Sequence, residues 1–408
     1  MEVILTRGPP DLALPVPKGH RAVSIHGLCC SQRSATLYGQ LRSSLADLLR
    51  QLVAQGTGPQ HLERLVIHLR EPCAAELDGR WLELTCREVL GGGLPRVHVC
   101  TTGIPENGAV AVSALALVPV AVPTKPVYRG YSAVELDRLY SPRATVPDAL
   151  AYFERWRQQG EVLSERLTDV IVYGDSPWES MDLFVPAVTA PPLHFFLHGG
   201  YWQAMDKLET RLFIRGLLDA GVAAAVVNYP LCPEVRLPEI TASVREALAR
   251  LWAAAPRYDI DNTRVQIGGH SAGAHLAAEL LATDWGAIAA GLARQPVTRG
   301  VLVSGIYDLT PLQFTGINRA LGLDPVGAYD CSPVHRVPGH QIDLVLAWGT
   351  SESEEFERQS RELAAAWGRH GANTILAPIA GANHFSVIET LADPGSRLLT
   401  LALEQLAQ

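Results

Sequence analysis

A serine inside a glycine motif is the residue of this chain whose setting most clearly suggests covalent chemistry. Ser271 occupies the centre of the Gly-His-Ser-Ala-Gly motif at residues 269–273, which fits G-x-S-x-G. Residues 263–268 before it are typical of a strand, and residues 272–281 after it are typical of a helix. A serine on a sharp strand-to-helix turn projects its hydroxyl out of the sheet. We therefore expect Ser271 to attack a carbonyl carbon, which requires a base, an acid and donors for the oxyanion elsewhere in the chain.

Two consecutive glycines upstream are suited to hold the negative charge that such an attack creates. Residues 195–197 are typical of an apolar strand, and His198, Gly199 and Gly200 follow directly. Glycines after a strand let backbone N–H groups approach a ligand closely, so we expect them to supply one half of an oxyanion hole. The N–H of Ala272 is expected to supply the other half. By itself the His-Gly-Gly run also fits an ordinary turn at a strand end.

Two aromatic residues, Tyr201 and Trp202, continue the same loop. Flat side chains beside an oxyanion hole are suited to contact an aromatic substrate. They are equally suited to pack the loop against the core, and the sequence leaves both roles open. We name the pair as candidate substrate-binding residues.

A general base is expected late in the chain, in a loop after the last strand. Of the 13 histidines, His384 lies in that place, since it follows the predicted strand 374–378 and precedes a final helix. His198 and His270 flank the two glycine motifs, and we expect them to support those loops. His384 is therefore the predicted base.

The acid that orients this base should follow the preceding strand. Residues 344–348 are typical of that strand, and Glu352 is the first carboxylate after it. Asp308 and Asp324 are the alternatives, and the glutamates after the strand also fit the solvated first turn of a helix, where the dipole favours negative charge. With Glu352 as the acid, the chain order is serine, acid, histidine.

The elements that must position these residues alternate along the second part of the chain. From residue 127 onward, strand-like and helix-like stretches follow one another. The predicted strands are 193–197, 223–228, 265–268, 300–304, 344–348 and 374–378, and the predicted helices are 210–220, 240–255, 271–282, 354–370 and 394–406. This alternation predicts an α/β fold, with a mostly parallel sheet covered by helices on both faces.

The first part of the chain has a different pattern. Its predicted order is strand, helix, strand, helix, strand, strand, at residues 22–30, 35–55, 65–69, 74–90, 96–101 and 109–117. This order predicts a small α+β unit. A proline-spaced stretch at 119–125 is typical of a linker. We therefore predict a first domain at 1–119, a linker at 120–128 and a second domain at 129–408.

Composition narrows the class of protein. The chain has 408 residues, more than one ordinary domain, and is 48% hydrophobic and 19% charged. A net charge of -8 argues against binding to nucleic acid or to an anionic membrane. We read no signal peptide and no membrane-spanning segment, and the seven cysteines have no metal-type spacing. We therefore expect a cytoplasmic protein that acts on a small molecule without a metal or other cofactor.

From about residue 139 to the C-terminus, the chain resembles the kynurenine formamidase (arylformamidase) branch of the α/β-hydrolases. The matching stretches are residues 139–143, 182–186, 198–202, 269–275, 304–309, 355–360 and 383–385. The resemblance implies an α/β-hydrolase fold, with Ser271, Glu352 and His384 at the positions of the family's serine, acid and histidine. The family's acid is often aspartate. Members remove N-formyl groups from aryl amines, and many are esterases.

Residues from about 23 to 117 resemble the Rid (YjgF-like, reactive intermediate deaminase) family, which has a chorismate mutase-like α+β fold. The matching stretches are the helix–strand pair at residues 38–69 and residues 94–99, 104–106 and 110–116. The resemblance places Arg96 at the position of the arginine that binds a substrate carboxylate. Ala111 stands at the position of a glutamate that helps to activate water. Rid-like proteins are usually trimers, so this unit is expected to form a homo-oligomer, a trimer or a dimer, or to handle an imine or enamine product.

Together these patterns predict a serine hydrolase that cleaves a formamide, amide or ester bond of a small aromatic molecule, fused to a Rid-like unit. The alternatives are a carboxylesterase with an inactive Rid-like scaffold and a non-catalytic binding or assembly protein, in which the serine, acid and histidine would be idle.

Overall fold

The computed structural model of the protein describes most of the chain, in eleven stretches. These are residues 3–6, 15–17, 20–29, 36–55, 57–70, 78–90, 96–101, 110–119, 125–146, 148–288 and 297–407. The chain divides into two compact units, Met1–Leu150 with Phe314–Ala320, and Ala151–Gln313 with Leu321–Gln408. This division falls later than the predicted linker, of which residues 120–124 lie outside the described stretches. The predicted domain limits therefore stay a prediction.

A five-stranded mixed sheet forms the framework of the first unit. Its strands are β1 Val3–Thr6, β2 His20–Cys29, β3 Leu62–Leu69, β4 Arg96–Cys100 and β5 Val110–Pro119, in the order β1-β4-β3-β5-β2. Strands β1, β4 and β3 are parallel, whereas β5 runs antiparallel to both β3 and β2. The sequence did not indicate β1, because four residues are too few to show a period.

Two long helices accompany this sheet, α1 Leu37–Ala54 and α2 Gly79–Leu90. Leu45 of α1, Leu82 of α2 and Ile67 of β3 are fully buried in one apolar cluster, so both helices cover the sheet with their apolar faces. From β2 onward, the order of elements agrees with the predicted one. Residues 102–109, between the last two predicted strands, and the start of the second predicted helix lie outside the described residues. Two short helices, α3 Ala133–Leu139 and α4 Pro142–Thr145, and the later segment Phe314–Ala320 also belong to this unit.

The second unit is built on an eight-stranded sheet. Its strands are β6 Asp169–Val172, β7 Ser180–Phe184, β8 Pro192–Leu197, β9 Ala223–Val227, β10 Asp261–His270, β11 Arg299–Val303, β12 Asp343–Gly349 and β13 Asn373–Ile379, in the order β13-β12-β11-β10-β8-β9-β7-β6. The six strands from β8 to β13 are parallel, which confirms the predicted mostly parallel sheet. Strands β6 and β7 form an antiparallel edge that the sequence did not indicate. Most of β6 is exposed, so it lacks the apolar alternation that marks a half-buried strand.

One helix precedes these strands, and the others lie between and after them. They are α5 Ala149–Val162, α6 Lys207–Thr210, α7 Arg215–Asp219, α8 Leu237–Ala254, α9 Ala272–Leu281, α10 Trp285–Ile288, α11 Asn318–Leu321, α12 Pro325–Asp330, α13 Glu354–Gly368, α14 Ser386–Glu389 and α15 Arg397–Ala407. The predicted helix 210–220 is interrupted by a 3-10 turn at Arg211–Ile214, where Arg211 is held 2.8 Å from the buried carboxylate of Asp182. Within the described stretches, no helix is both long enough and apolar enough to cross a membrane.

The parallel strands bring five loops to one edge of this sheet. Strands β8, β10, β11, β12 and β13 are hydrogen-bonded neighbours or near neighbours, and all point in the same direction. Their carboxyl ends therefore meet at one edge, which is where open α/β sheets carry their ligand sites. The predicted serine, acid, base and oxyanion loop all follow these strands.

Candidate active site

Ser271 lies at the turn between β10 and α9. Its backbone has φ 57° and ψ -120°, a left-handed conformation that residues other than glycine adopt only under strain. Its N–H donates a hydrogen bond of 2.8 Å to the carbonyl oxygen of Val303, at the end of β11. The turn therefore has the sharp strand-to-helix geometry that the motif predicts, and it is tied to the neighbouring strand.

The two glycines nearest this turn are there for steric reasons. A Cβ atom at Gly269 would lie 2.3 Å from the carbonyl oxygen of Gly273, and one at Gly273 would lie 2.0 Å from the carbonyl oxygen of Leu197. Both distances are far below van der Waals contact. Only glycine at these positions lets β10, α9 and the end of β8 approach closely enough to form the turn.

The loop after β8 lies directly against the serine. A Cβ at Gly199 would lie 3.0 Å from the carbonyl oxygen of His270 and 3.2 Å from the Cβ of Ser271, closer than most real Cβ contacts. Gly200 has φ 102°, and a Cβ there would lie 2.2 Å from the carbonyl oxygen of Ala204. The structure thus brings the two predicted oxyanion glycines together with the serine and with Ala272, the first residue of α9.

Two buried side chains hold the carbonyl groups of this loop. The hydroxyl of Tyr229 donates a hydrogen bond of 2.6 Å to the carbonyl oxygen of His198. The Nδ1 of His198 donates to the carbonyl oxygen of Gly199 at 2.8 Å, and its ring stacks on Tyr229 with centroids 4.2 Å apart. Burial lowers the pKa of His198 to about 4, so its imidazole is neutral at neutral pH. His198 thus contacts its own loop as a neutral group.

Tyr201 and Trp202 differ in their surroundings. Both have left-handed backbones, with φ 51° and 57°. Trp202 is fully buried and packs edge-on against the ring of His275, with centroids 4.9 Å apart. Tyr201 is half-buried. Of the two roles that the sequence left open, Trp202 has the contacts of a packing residue, and only Tyr201 keeps an exposed surface.

His384 and Glu352 form a direct pair at the same edge of the sheet. The Nδ1 of His384 lies 2.6 Å from Oε1 of Glu352, although the residues are 32 positions apart. The other oxygen, Oε2, accepts hydrogen bonds of 2.6 Å from the hydroxyl of Ser304 and of 2.6 Å from the N–H of Gly349. Both carboxylate oxygens are therefore held, and the glutamate side chain is only 1% exposed. A charge buried in this way needs such partners.

The two alternative acids are engaged elsewhere. Asp324 caps α12 by accepting a hydrogen bond of 2.7 Å from the N–H of Gly327. Asp308 accepts a bond of 3.0 Å from the N–H of Thr310 and lies 3.7 Å from the guanidinium of Arg358. Both carboxylates therefore have local partners of the kind that hold a loop or a helix end.

Asn383, the residue before His384, holds the conformation of the loop that carries this histidine. The Oδ1 of Asn383 accepts hydrogen bonds from the N–H groups of Phe385 and Ser386, at 2.9 and 3.0 Å. Its Nδ2 donates to the hydroxyl of Tyr152 at 3.2 Å. An asparagine that bonds the backbone two residues on is a common turn former, so the residue type was a signal that sequence analysis missed.

His270 supports the same loop from the serine turn. Its Nε2 donates a hydrogen bond of 2.9 Å to the carbonyl oxygen of His384. Burial, and next the neighbouring charge of His384, hold the pKa of His270 well below its usual range. The ring is therefore neutral, with its proton on Nε2.

The residues of the Rid-like resemblance belong to the first unit. Arg96 is the first residue of β4, and its side chain lies outside what the structure describes. Strand β3 lies between β4 and β5, so residues of the outer two strands can be compared by the β3 residue with which both pair. By this comparison Arg96 is level with Leu115 of β5, whereas Ala111 of β5 is level with Cys100, at the other end of β4. Among the described residues, no group of three or more histidine, cysteine, aspartate or glutamate side chains is arranged to hold a metal ion.

Comparison of the sequence with family models and with known proteins identifies the family to which this chain belongs. The BD-FAE family model matches residues 181–287. Kynurenine formamidase of Salmo salar is 31% identical over 291 residues, which are 67% of this chain and 96% of that protein. Kynurenine formamidase of Danio rerio is 29% identical over 297 residues, 69% of this chain and 99% of that protein.

Solved structures agree with this result. A crystal structure from Silicibacter sp., assigned provisionally as a thioesterase, is 35% identical, with a TM-score of 0.58 and coverage of 65% of this chain and 98% of that chain. The carboxylesterase EstE1 from a metagenomic library has a TM-score of 0.50 at 19% identity, over 69% of this chain and 97% of that chain, which shows a shared fold. The chain therefore belongs to the kynurenine formamidase family of α/β-hydrolases, enzymes that act on amide or ester bonds.

Proposed function

We propose that this protein is a serine hydrolase that removes the formyl group from an N-formyl aryl amine, with Ser271 as nucleophile, His384 as base and Glu352 as acid. The observation that carries the proposal is the 2.6 Å contact between His384 Nδ1 and Glu352 Oε1. A carboxylate on Nδ1 leaves Nε2 as the atom that exchanges a proton with a nucleophile. The strained turn at Ser271 supports the same assignment.

The substrate class is inferred from the relatives and from one side chain. The proteins of Salmo salar and Danio rerio are named kynurenine formamidase, and a formamidase cleaves the amide between a formyl group and an amine. Tyr201 follows the two predicted oxyanion glycines and is half-buried, whereas Trp202 is fully buried. We assign this ring to the aryl group of the substrate, because aromatic rings associate through offset or edge contacts.

The first half of the reaction forms an acyl-enzyme. Oγ of Ser271 bonds to the formyl carbon while Nε2 of His384 takes the hydroxyl proton, and the carbonyl electrons move to oxygen. The N–H groups of Gly199, Gly200 and Ala272 hold this oxyanion. The C–N bond then breaks, the leaving nitrogen takes the proton from Nε2, and the aryl amine departs. A formyl ester remains on the serine.

The second half repeats the chemistry with water. A water molecule gives a proton to Nε2 of His384 and bonds to the formyl carbon, and the same N–H groups hold the second oxyanion. The bond to Ser271 then breaks, Oγ regains the proton, and formate is released. Glu352 stays ionised throughout and stabilises the imidazolium. The net reaction consumes one formamide and one water.

Covalent labelling tests the nucleophile directly. A fluorophosphonate probe should label the full-length protein at Ser271, as mapped by peptide mass, and should not label Ser271→Ala. Ser351→Ala is the matched control, since it removes an exposed serine hydroxyl from the residue before Glu352 and should leave labelling intact. Labelling of Ser271→Ala at the wild-type rate, or none in the wild type, overturns the proposal and favours a non-catalytic binding or assembly protein.

A substrate screen tests the bond type. The protein should release formate from N-formyl aryl amines, and Glu352→Gln should lower kcat about a thousandfold, since acid–base assistance supplies that order of rate. p-Nitrophenyl esters are the comparison, with products identified by mass. Faster turnover of esters and no release of formate would make the protein a carboxylesterase instead.

We further propose that the first unit is Rid-like and assembles the protein into a homo-oligomer, a trimer or a dimer. Two helices that cover a mixed sheet support this fold. Catalysis by this unit has less support, because Ala111 carries no carboxylate and is aligned with the end of β4 opposite Arg96. Light scattering of the full-length protein tests the assembly, and a monomer at micromolar concentration contradicts it.

A deaminase role of this unit is tested separately. The full-length Ser271→Ala variant, which should lack hydrolase activity, is assayed for hydrolysis of an imino acid generated in place. A rate above buffer that Arg96→Ala abolishes supports a deaminase. A rate equal to buffer leaves the unit as a scaffold.

A further inference from the structure

Ser304 directly follows strand β11 in a conformation that serine rarely adopts. Its φ is 49°, in the left-handed region, and its side chain is fully buried. Its N–H donates a hydrogen bond of 2.7 Å to the carbonyl oxygen of Ala347 in β12. The residue is thus fixed between two strands whose following loops belong to the candidate active site.

The hydroxyl of Ser304 reaches the acid. Its Oγ lies 2.6 Å from Oε2 of Glu352, and because a carboxylate only accepts, the hydroxyl donates. The same oxygen accepts from the N–H of Gly349, and Oε1 faces His384. A glutamate carboxylate rotates almost freely about its last bond. Two donors on Oε2 from different strands stop this rotation and leave Oε1 directed at the imidazole.

The residue before Ser304 fixes the nucleophile. The carbonyl oxygen of Val303 accepts the N–H of Ser271 at 2.8 Å. Two consecutive residues at the end of β11 therefore contact the serine turn on one side and the acid on the other. A displacement of this strand end would move the nucleophile and the acid relative to each other. The reaction rate would fall, because a shift of about 1 Å between reacting groups already slows catalysis.

We propose that Ser304 is a positioning residue, whose hydroxyl holds the carboxylate of Glu352 toward His384. Glycine or asparagine are the usual occupants of a left-handed position, so what serine adds here is the hydroxyl contact. This inference rests on the proposed function, in which Glu352 is the acid.

Ser304→Gly separates the two roles that the residue could have. Glycine accepts φ 49° without strain and removes only the hydroxymethyl group, so the variant should fold, because relief of the backbone strain offsets part of the stability lost with the hydrogen bond. If Ser304 is a positioning residue, kcat falls about tenfold with KM unchanged, since the lost hydrogen bond is one to a charged group. The low-field proton resonance of His384 Nδ1 should also shift, because the carboxylate facing it is no longer held.

Ala190→Gly is the matched control. Ala190 also has a left-handed backbone, φ 46°, and lies before the amino end of β8, opposite the edge that carries the site. The change to glycine there should leave kcat and the Nδ1 resonance unaltered. In a Glu352→Gln background, Ser304→Gly should cause no further loss, because there is no carboxylate left to position.

The outcomes separate this inference from the proposed function. If Glu352→Gln or Ser271→Ala keeps the wild-type kcat, the proposed function fails, and this inference fails with it. If those variants lose activity while Ser304→Gly keeps kcat within twofold and leaves the Nδ1 resonance in place, only the role of Ser304 is wrong. A tenfold loss that is fully additive with Glu352→Gln also overturns it.

Discussion

His270 Nε2 donates a 2.9 Å hydrogen bond to the carbonyl oxygen of His384, which joins the residue before the candidate nucleophile to the candidate base itself. The two imidazole rings also lie close together, with centroids 4.7 Å apart. His270, at the first x position of the G-x-S-x-G motif, therefore links the serine turn to the loop that carries His384. These two loops are more than a hundred residues apart in sequence. Because His270 is held neutral by burial, the link does not add a charge beside the base.

This link predicts different results for two substitutions of His270. His270→Leu leaves the buried carbonyl of His384 without its donor, which should lower the free energy of unfolding by about 1–3 kcal/mol and reduce kcat about tenfold. His270→Gln places an amide N–H near the position of Nε2 and should recover most of the activity. Urea denaturation and steady-state kinetics measure both effects, and equal kcat values for the two variants would contradict the role of the hydrogen bond.

The hydroxyl of Tyr229 gives a second prediction. Tyr229→Phe keeps the ring that stacks on His198 but removes the 2.6 Å hydrogen bond to its carbonyl. Loosening the oxyanion loop should reduce kcat about three- to tenfold with little change of KM, and should lower stability by about 1 kcal/mol. An unchanged kcat together with lower stability would show that the bond serves only the fold.

Gly200 gives a third prediction, with a control at another glycine. Gly200→Ala places a Cβ 2.2 Å from the carbonyl oxygen of Ala204 at φ 102°, so the loop must move and kcat should fall by about a hundredfold or more. Gly221→Ala introduces the same type of backbone strain at φ 85°, with its nearest atoms 3.8 Å away on Val188. It should lower stability by roughly 1–2 kcal/mol and leave kcat unaltered. Similar kcat values for the two variants would count against the oxyanion loop.

Buried neutral histidines predict how stability depends on pH. Burial lowers the pKa of His194, His198 and His275 to about 4. In the unfolded chain these groups have a pKa near 6.5, so below that pH the unfolded state binds more protons than the folded state. The free energy of unfolding should therefore fall as the pH is lowered from about 6.5 to about 4, with each histidine contributing up to roughly 3 kcal/mol.

Urea denaturation at a series of pH values measures this dependence, and one variant identifies its source. His275→Gln keeps a donor for the carbonyl of Cys331, which His275 Nε2 contacts at 2.7 Å, but cannot take up a proton. Its stability should fall less steeply on acidification than that of the wild type. A slope identical to the wild-type slope would show that His275 is not among the groups responsible.

The local parts of the candidate site were readable from sequence. The serine turn depends on glycines within two residues of Ser271, so the motif itself carries the geometry. The strands from β8 to β13 coincide with apolar runs in the sequence. Their predicted positions agree with the structure to within a few residues. The antiparallel edge of β6 and β7 was missed, because most of β6 is exposed and shows no apolar period.

Tertiary structure decided what no local pattern could. The sequence places Glu352 after a strand, but the distance between its carboxylate and His384 depends on the register of β12 and β13. The contact of Ser304 with Glu352 depends in the same way on β11 lying beside β12. Sequence alone determined which residue types are available in each loop. It can do so because turn signals and the hydrophobic periodicity of helices and strands depend on residues that are close together in the chain. Which of them meet was decided by strand order and register, which join segments distant in the chain.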